Sequence, residues 1–566
     1  MALMTRIAEH LRAVGLSPAD TTQESCSVQL GGRGSRVALR LAGPSRVPQG
    51  HDETALQAAL GLMHQHGLRE ETGPRRIGVD YATTIAAVTA THGVLAALLA
   101  GARGRPQPQV TVSATAAVLR SVGHYLALTD AEQDVGRNPA WPGQPPPLRT
   151  GDGRWMEVET FNPVNWGAFW SRLGVDGRSV GHGWRVHCAR QWTARPWLPQ
   201  SMHDAVAARK LDELDQIAQE CGIAVVPLEE LGRYPARTRP WTTSDAPTTV
   251  NLADEAVPNG EGPLSGLTVV EATRWLQGPF AGRTLALLGA RVIWIEMPEG
   301  DPARGIEPVV GDTHAGFCTL HHGKEAIRLD VTSPSGRRAL VELIAQADVF
   351  LHNWPQGRAE RLQLSAEDLW RIRPSLIYAH ADGWAPHAGP TMPRVASDWS
   401  AQTHSGLAVS LRSPGEQPAA SGVTVLDILG GHISAEAVLA ALLHRQITGQ
   451  ARAVYTSLLA GAQLLLPHRA APSPVFHPLP TADGYLAVHS ATSTRRALRL
   501  SPDADRQAVI HALSRHPAHY WAKELPAAGA VCTLVRSPAD IIADPVHAPH
   551  LTREHALLVR APWSFA

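Results

Sequence analysis

The 566-residue sequence has few cysteines, no net charge and no recognisable metal-binding motif. Its five cysteines lie far apart and form no CxxC pair, which excludes a disulfide framework or a zinc ribbon and suits a reducing cytoplasm. Lys and Arg together number 51, as do Asp and Glu, so no overall field attracts nucleic acid or an anionic membrane. The 27 histidines include no HExxH or comparable spacing. We therefore expect neither a metal ion nor a nucleic-acid partner.

Phosphate-gripping loops and membrane-spanning runs are also missing from the sequence. Neither GxGxxG nor GxxxxGK[ST] occurs, which argues against NAD-dependent dehydrogenases and P-loop NTPases. No apolar run approaches the roughly 18 residues that cross a bilayer. The first 16 residues are interrupted by charges and predict an amphipathic helix, not a signal peptide. These absences predict a cytoplasmic protein without a membrane segment and without a tightly bound cofactor.

The sequence contains an internal repeat. VLAALL occurs at 94–99 and again at 438–443, an offset of 438 − 94 = 344 residues. The same offset aligns Ser113 with Ser457 without a gap. An ordered series of matches at one offset indicates two copies of one unit, and it decides the fold prediction.

The repeat also reaches an acidic segment in each copy. Asp52 followed by Gly61 resembles Asp398 followed by Gly406, although the spacings differ, 61 − 52 = 9 against 406 − 398 = 8. We interpret the N-terminal copy as partial and mainly structural. The alternative is that His51 or Asp52 takes part in chemistry.

A parallel α/β sheet is predicted between residues 264 and 384. Short apolar runs alternate there with helical segments, as in a doubly wound sheet with a crevice at the carboxyl ends of its strands. The predicted strands are Leu267–Ala272, Arg291–Glu296, Ile327–Asp330, Val349–His352 and Leu376–His380. The predicted organisation is a helical extension (1–35), a partial repeat (36–240), a linker (241–262) and a main domain (263–566), itself divided into a Rossmann-like part (263–400) and a smaller α+β part with a C-terminal return (401–566).

Several motifs of the second half resemble family III CoA-transferases, the CaiB/BaiF group. Gly300–Gly305, GDPARG, is similar to the family's GDPxRG loop, and Asp348–Asn353 resembles its DVxxxN element. Ser397-Asp398, with Ser405–Leu407 following, falls on its catalytic segment. The resemblance implies a Rossmann-like sheet with a smaller domain, intertwined dimers, acyl-CoA as substrate and a carboxylic acid as acceptor. In this chain it implies a homodimer or an internal pseudo-dimer.

The resemblance places an aspartate nucleophile at Asp398. Attack on a thioester, followed by an aspartyl-CoA intermediate, would divide one difficult transfer into easier steps. Gly406 would let backbone N–H groups approach the developing oxyanion. The candidates for binding the CoA phosphates are Arg304, Lys324 and Arg361, with Asn353 as a polar contact, because guanidinium and ammonium groups suit phosphate.

Two alternatives remain open. The related α-methylacyl-CoA racemases use a histidine just before the Asp398 position together with an acid that matches Asp427. Ser397 replaces that histidine here, so a racemase, isomerase or lyase acting by proton transfer would need another base, such as His51 with Asp80. Asp427 is thus a secondary catalytic candidate. The other alternative is a non-catalytic member that acts as a scaffold.

Overall fold

The structure is a computed structural model that describes residues 3–29, 36–42, 52–131, 143–232, 234–235, 239–251, 260–306, 309, 313–384, 392–393, 395–413, 415–468 and 476–566. His51 lies outside the described residues. The strands of the first half are β1 (Ser17–Ala19), β2 (Ser25–Gln29), β3 (Arg36–Leu41), β4 (Gln109–Val112), β5 (Gly143–Gln144), β6 (Leu148–Arg149), β7 (Trp155–Glu159), β8 (Leu198–Pro199), β9 (Ala224–Pro227) and β10 (Trp241–Thr249). Its helices are α1 (Leu3–Ala13), α2 (Glu53–Ala59), α3 (Leu62–Gly67), α4 (Tyr81–Ala102), α5 (Ala114–Ser121), α6 (Gly123–Ala131), α7 (Pro163–Arg172), α8 (Gly177–Thr193), α9 (Gln200–Ala207) and α10 (Leu211–Cys221).

The second half continues with the same kinds of element. Its strands are β11 (Thr268–Ala272), β12 (Arg291–Glu296), β13 (Glu325–Arg328), β14 (Val349–His352), β15 (Ile377–Asp382), β16 (Gln450–Ser457), β17 (Leu479–Pro480), β18 (Tyr485–Val488), β19 (Cys532–Leu534), β20 (Leu551–Arg553), β21 (Leu557–Val559) and β22 (Trp563–Phe565). Its helices are α11 (Gln277–Leu287), α12 (Ala315–His321), α13 (Pro334–Ile344), α14 (Arg358–Arg361), α15 (Ala366–Trp370), α16 (Asp398–His404), α17 (Leu407–Ser410), α18 (Val425–Thr448), α19 (Leu458–Leu465), α20 (Ala491–Ala497), α21 (Arg506–Leu513), α22 (Ala518–Ala527) and α23 (Pro538–Ala543).

The main sheet confirms the predicted parallel α/β class. Its order is β10-β16-β15-β14-β11-β12-β13, and the neighbours from β16 to β13 are all parallel. Counted along the chain from β11, the parallel strands follow the order 3-2-1-4-5-6 of doubly wound sheets, whose ligands bind where the order reverses. That point lies between β11 and β14. Residues 241–249, at the start of the predicted linker (241–262), form the antiparallel edge strand β10.

The core helices of the two copies begin at equivalent positions in the sequence. Helix α4 begins at Tyr81 and α18 at Val425, which is again an offset of 344. Ser113 caps α5 by accepting a hydrogen bond from the backbone N–H three residues on, and Ser457 caps α19 in the same way. The repeat inferred from the sequence is therefore confirmed as a structural repeat.

Helices α4 and α18 form the centre of the molecule. They pack on each other with the rings of His92 and His432 stacked at 5.5 Å. Both are long and apolar enough to cross a bilayer, so the expectation that no segment approaches that length was wrong. Within the apolar window of each helix, 89% of residues are buried inside the protein. This is the burial expected of central core helices.

Each copy carries a small unit that lies on the other copy. The N-terminal small unit (residues 143–232) contacts α16, where the Glu229 N–H donates to the Thr403 carbonyl at 3.2 Å. The C-terminal small unit (residues 476–553) contacts α2, where the Arg536 N–H donates to the Ala58 carbonyl at 2.9 Å. This exchange of small units between the copies is reinforced by β22, which pairs with β4 of the N-terminal sheet.

Candidate functional site

A cavity of about 2350 Å³ lies between the parallel sheet and the N-terminal small unit; we call it the central cavity. The carboxyl ends of β11, β14 and β15 contribute Thr273, Asn353 and Gly383 to its wall. The opposite wall comes from β7 and α8 of the other copy, including Glu159 and Arg190. The cavity thus opens at the reversal point of the sheet, and both copies are needed to enclose it.

The Asp398 carboxylate is fully buried beside this cavity, with 0% exposure. One oxygen accepts hydrogen bonds from the backbone N–H groups of Leu426 (2.7 Å) and Asp427 (2.6 Å), and the other accepts one from the Gln402 side-chain amide. These contacts satisfy two of the free N–H groups that begin α18. Among the described residues that line the cavity, Asp398 is absent, whereas Asp427 is present.

Asp427 is the third residue of α18, and its side chain is partly exposed to the cavity. Thr424 is the N-cap of this helix. Burial raises the pKa of Asp427 well above its usual range, and the nearby Asp398 and Glu159 carboxylates raise it further. Burial also raises the pKa of Asp398, to about 7, although three hydrogen-bond donors oppose the shift. Because Asp398 has these donors, it is the better site for the negative charge, and the proton of the pair resides mainly on Asp427.

The N-terminal copy repeats the hydrogen bonds of Asp398 at Glu53. Glu53 begins α2 as Asp398 begins α16, and its carboxylate accepts from Gln57 (2.7 Å) and from the backbone N–H groups of Ala82 and Thr83 (2.8 Å each). The sequence-based pairing of Asp52 with Asp398 was therefore wrong by one residue.

Asp52 instead matches Ser397, the N-cap of α16. It caps α2 by accepting from the Ala55 N–H at 2.9 Å, and it pairs with His489 of the C-terminal small unit at 3.1 Å. Among the described lining residues of the central cavity, Asp52 is not found. With Glu53 as the counterpart of Asp398, the spacing to the following glycine becomes 61 − 53 = 8 in both copies.

The N-terminal small unit adds a charged cluster to the cavity wall. Glu159, at the end of β7, accepts from Arg190 (2.6 Å) and from the Ser397 hydroxyl, and it lies 3.1 Å from His187. Burial alone would raise the pKa of Glu159, but Arg190, His187 and Ser397 together lower it to about 2. The guanidinium of Arg190 also stacks 4.0 Å above the ring of Trp399. Glu159 thus links the N-terminal small unit to α16 of the other copy.

The predicted CoA-binding cations are mostly committed to other contacts. Lys324 pairs with the buried Glu271 at 2.9 Å and also donates to the Pro279 carbonyl. Arg304 pairs with Glu296 at 2.6 Å, and Arg361 is exposed on α14. Neither these two arginines nor Lys324 is found among the described lining residues of the cavity.

Asn353 lines the cavity as expected, but it acts on the backbone. It accepts from the Arg274 N–H at 3.0 Å and donates to the Arg274 carbonyl at 2.7 Å, which fixes the loop after β11. The backbone N–H of Gly406, which was expected near the oxyanion, donates instead to the Thr403 carbonyl. Gly406 is the N-cap of α17 and has a φ of +76°. A Cβ there would lie 2.6 Å from the Glu230 carbonyl oxygen, so Gly406 permits close packing between the copies.

Several lining residues were missed by the sequence analysis. Arg274 and Arg358 both line the cavity, and Arg358 lies over the ring of Trp354 at 5.4 Å. Trp275, with φ of +67°, stacks on Phe161 of the N-terminal small unit at 5.1 Å across the cavity. Arg274 follows a strand at the reversal point, a signal that could have identified it. The cavity residues that come from the N-terminal copy carried no such signal in the sequence.

Comparison with known proteins agrees with this architecture. The family model for CoA-transferase family III matches residues 35–256 and 264–476. An acetyl-CoA:oxalate CoA-transferase of Acetobacter aceti is 35% identical over 210 residues, 37% of this chain and 54% of that protein. A succinate–glutarate CoA-transferase of Agrobacterium fabrum is 34% identical over 211 residues, 36% of this chain and 52% of that protein.

A human succinyl-CoA:glutarate CoA-transferase is 32% identical over 211 residues, 37% of this chain and 48% of that protein. The chain spans about half the length of these curated relatives. The crystal structure of a CAIB/BAIF family protein from Brucella suis matches 54% of this chain and 92% of its own, with 26% identity and a TM-score of 0.48. Since the family model covers both halves, the chain belongs to CoA-transferase family III.

Proposed function

We propose that the protein transfers CoA from an acyl-CoA to a carboxylic acid, and that Asp427 is the carboxylate that attacks the thioester. The observation that carries this proposal is the position of Asp427 in the cavity wall at the reversal point of the sheet. The activities in the names of the relatives, transfer of CoA from acetyl-CoA or succinyl-CoA to dicarboxylic acids, support the same reaction class.

The reaction proceeds in covalent steps. An Asp427 oxygen attacks the thioester carbon, the C–S bond breaks, and CoA thiolate leaves a mixed anhydride. The thiolate then attacks the Asp427 carbonyl carbon, which releases the first acid as a carboxylate and leaves an aspartyl-CoA thioester. The second carboxylate attacks that thioester, and the released thiolate returns to the new acyl carbon. Both acids and CoA are conserved, and Asp427 is regenerated.

In this proposal Asp398 and Asp427 exchange the roles that the sequence suggested. Asp398 is fully buried and holds the first turn of α18, as Glu53 holds the first turn of α4. A bonding pattern shared by both copies is better explained by structure than by chemistry. Asp398 then positions Asp427 and, as a neighbouring negative charge, raises its pKa.

The CoA phosphates would bind at a cationic edge of the cavity. Arg274 and Arg358 line it, and the pKa of Arg358 is lowered by its burial first and then by the charges of Arg274 and Arg361. Guanidinium groups bind phosphate oxygens in pairs of hydrogen bonds. Arg304 and Lys324, which are paired with buried glutamates, would serve mainly to hold the fold.

Proton transfer on an acyl-CoA, as in a racemase or lyase, is less well supported. The residue that stands next to Ser397 is Glu159, whose pKa is lowered to about 2. A carboxylate with so low a pKa is a poor base for a carbon acid. Deuterium exchange at the α-carbon of an acyl-CoA in D₂O, without any acceptor acid, would favour this alternative.

Trapping of the covalent intermediate tests the proposal. The protein is incubated with acetyl-CoA or succinyl-CoA and then with hydroxylamine, and the peptides are analysed by mass spectrometry. We expect a hydroxamate at Asp427 in the wild type and none in Asp427→Asn. A hydroxamate at Asp398 would restore the sequence-based assignment. Transfer activity that persists in Asp427→Asn would contradict the proposal.

A further inference from the structure

Arg190 is an arginine that the N-terminal copy contributes to the central cavity. It belongs to α8, is only 4% exposed, and lines the cavity that Asp427 also lines. Its Nη2 donates to Glu159, while its buried Nε has no hydrogen-bond partner among the described residues. A buried donor without an acceptor is costly, and such a group calls for an explanation.

The guanidinium is held between Trp399 of α16 and Glu159 of β7. Trp399 supports one face of it at 4.0 Å, and Trp399 follows Asp398 directly on α16. Glu159 fixes its Nη2 and also accepts from Ser397, the cap of the same helix. Arg190 is therefore attached to α16 from two sides, and α16 is attached to Asp427 through the Asp398 carboxylate.

We propose that Arg190 binds the carboxylate of the acid that receives CoA, so that the N-terminal copy supplies the acceptor subsite of the C-terminal copy's active site. This inference rests on the proposed function. When the aspartyl-CoA thioester has formed, one oxygen of the acceptor carboxylate bonds to Arg190. The other oxygen attacks the carbonyl carbon of the aspartyl thioester, the C–S bond breaks, and CoA thiolate leaves. In the first half of the reaction, Arg190 holds the carboxylate that departs.

The ion pair with Glu159 suits such a site. Guanidinium groups recognise carboxylates through several donors in a fixed plane, so one donor can hold Glu159 while others bind the acceptor. Since Glu159 is ionised, it offsets the charge of Arg190, and the product carboxylate is released readily. A purely structural ion pair would explain why Nη2 of Arg190 donates to Glu159. It would not explain why the buried Nε has no acceptor among the described residues.

Steady-state kinetics of Arg190 variants test the subsite. The donors are acetyl-CoA and succinyl-CoA, and the acceptors are oxalate and glutarate. In Arg190→Gln we expect the KM of the acceptor to rise about 10- to 100-fold, the effect of losing hydrogen bonds to a charged group. The KM of the acyl-CoA should stay within about 2-fold. Arg190→Lys should show an intermediate rise. A loss that is equal for both substrates, or an unchanged acceptor KM, would overturn the inference.

The matched control is Arg178→Gln on the same helix. Arg178 is exposed near the start of α8 and is not among the described residues that line the cavity, so its removal changes the charge of the helix by the same amount. Both KM values should be unchanged. A rise in the acceptor KM in this variant would attribute the effect to net charge and overturn the assignment.

A binding measurement separates this inference from the proposed function. Oxalate or glutarate, at constant ionic strength adjusted with NaCl, should raise the Tm of the wild-type protein and raise that of Arg190→Gln much less. If the wild type transfers no CoA but shows this difference, the proposed reaction fails and the carboxylate subsite stands. If the wild type transfers CoA and neither KM nor Tm depends on Arg190, only the subsite fails.

Discussion

Glu53 and Asp398, which lie 398 − 53 = 345 residues apart, make the same hydrogen bonds in the two copies of the repeat. Each begins a short helix, accepts from the glutamine four residues on, and accepts from the second and third backbone N–H groups of a long central helix. The glutamines correspond as well: Gln57 accepts from the Ile77 N–H and Gln402 from the Ser421 N–H. The acid at the start of the short helix is thus a structural element of both copies. The C-terminal copy has a second carboxylate, Asp427, in addition.

Alanine substitution of these two acids should destabilise the protein to a similar extent. Either change leaves two backbone N–H groups of a buried helix end without an acceptor, at ~1–3 kcal/mol for each group. We expect Glu53→Ala and Asp398→Ala to lower the stability in urea unfolding alike. Glu53→Ala should keep kcat within about 3-fold, because Glu53 is not among the described residues that line the cavity. A normal stability in both variants would refute a shared structural role.

Asp427→Asn should abolish CoA transfer without harming the fold. Removal of an attacking group costs at least about 1000-fold in kcat in enzymes that form covalent intermediates. Thr83 stands at the same position in the N-terminal copy, which folds with a neutral residue there. The measurement is CoA transfer from succinyl-CoA to glutarate, with circular dichroism and Tm as the folding control. The Thr83→Ser variant, which keeps a hydroxyl group, should behave as wild type.

The activity should rise with pH as Asp427 loses its proton. The pKa of Asp427 is raised by burial first and by Asp398 second, and only the ionised form attacks a thioester. Replacing Asp398 with Asn removes the neighbouring negative charge, so the pKa of Asp427 falls and the rising limb of the kcat/KM profile moves to lower pH. A profile that stays at the wild-type position in Asp398→Asn would show that the two carboxylates are not coupled.

The stability of the fold should respond to pH in the opposite direction. Asp427 has a higher pKa in the folded chain than its unfolded value near 3.9. A raised folded pKa contributes stability below the unfolded pKa, and this stability is lost as the pH rises through the folded value. Asp427→Asn should therefore gain stability over the wild type at pH 8 but not at pH 3. The two Tm differences, measured in the same salt, check this sign.

Much of the fold could be predicted because its signals are local. Arg291–Glu296 and Val349–His352 are strands with the predicted bounds. The third strand was placed two residues late, at Ile327 instead of Glu325, because it lies at the edge of the sheet and is mostly exposed. An exposed edge strand has no continuous apolar run to mark it.

The site could be predicted only in part. The acids at 398 and 427 were found, but their roles depend on which carboxylate faces the cavity, and that follows from helix packing. The counterpart of Asp398 in the N-terminal copy was misassigned because Asp52, a helix cap, has the same side chain as Asp398. The true counterpart, Glu53, has a longer side chain. Glu159 contacts Ser397 across 238 residues of sequence through the exchange of small units, and no local pattern records such a contact.

The exchange predicts that the two halves of the chain depend on each other and that one chain is sufficient. Strand β10 pairs with β16, β22 pairs with β4, and each small unit lies on the other copy. Residues 1–251 and 260–566, expressed separately, should aggregate or stay unfolded, because each loses the partner of a long apolar helix, α4 or α18, which pack on each other across the halves. When the two halves are co-expressed, they should purify together and recover transfer activity.

Light scattering of the intact protein should give the 60.6 kDa of a single chain, the internal pseudo-dimer. An obligate dimer of intact chains, or halves that fold and act alone, would contradict this account.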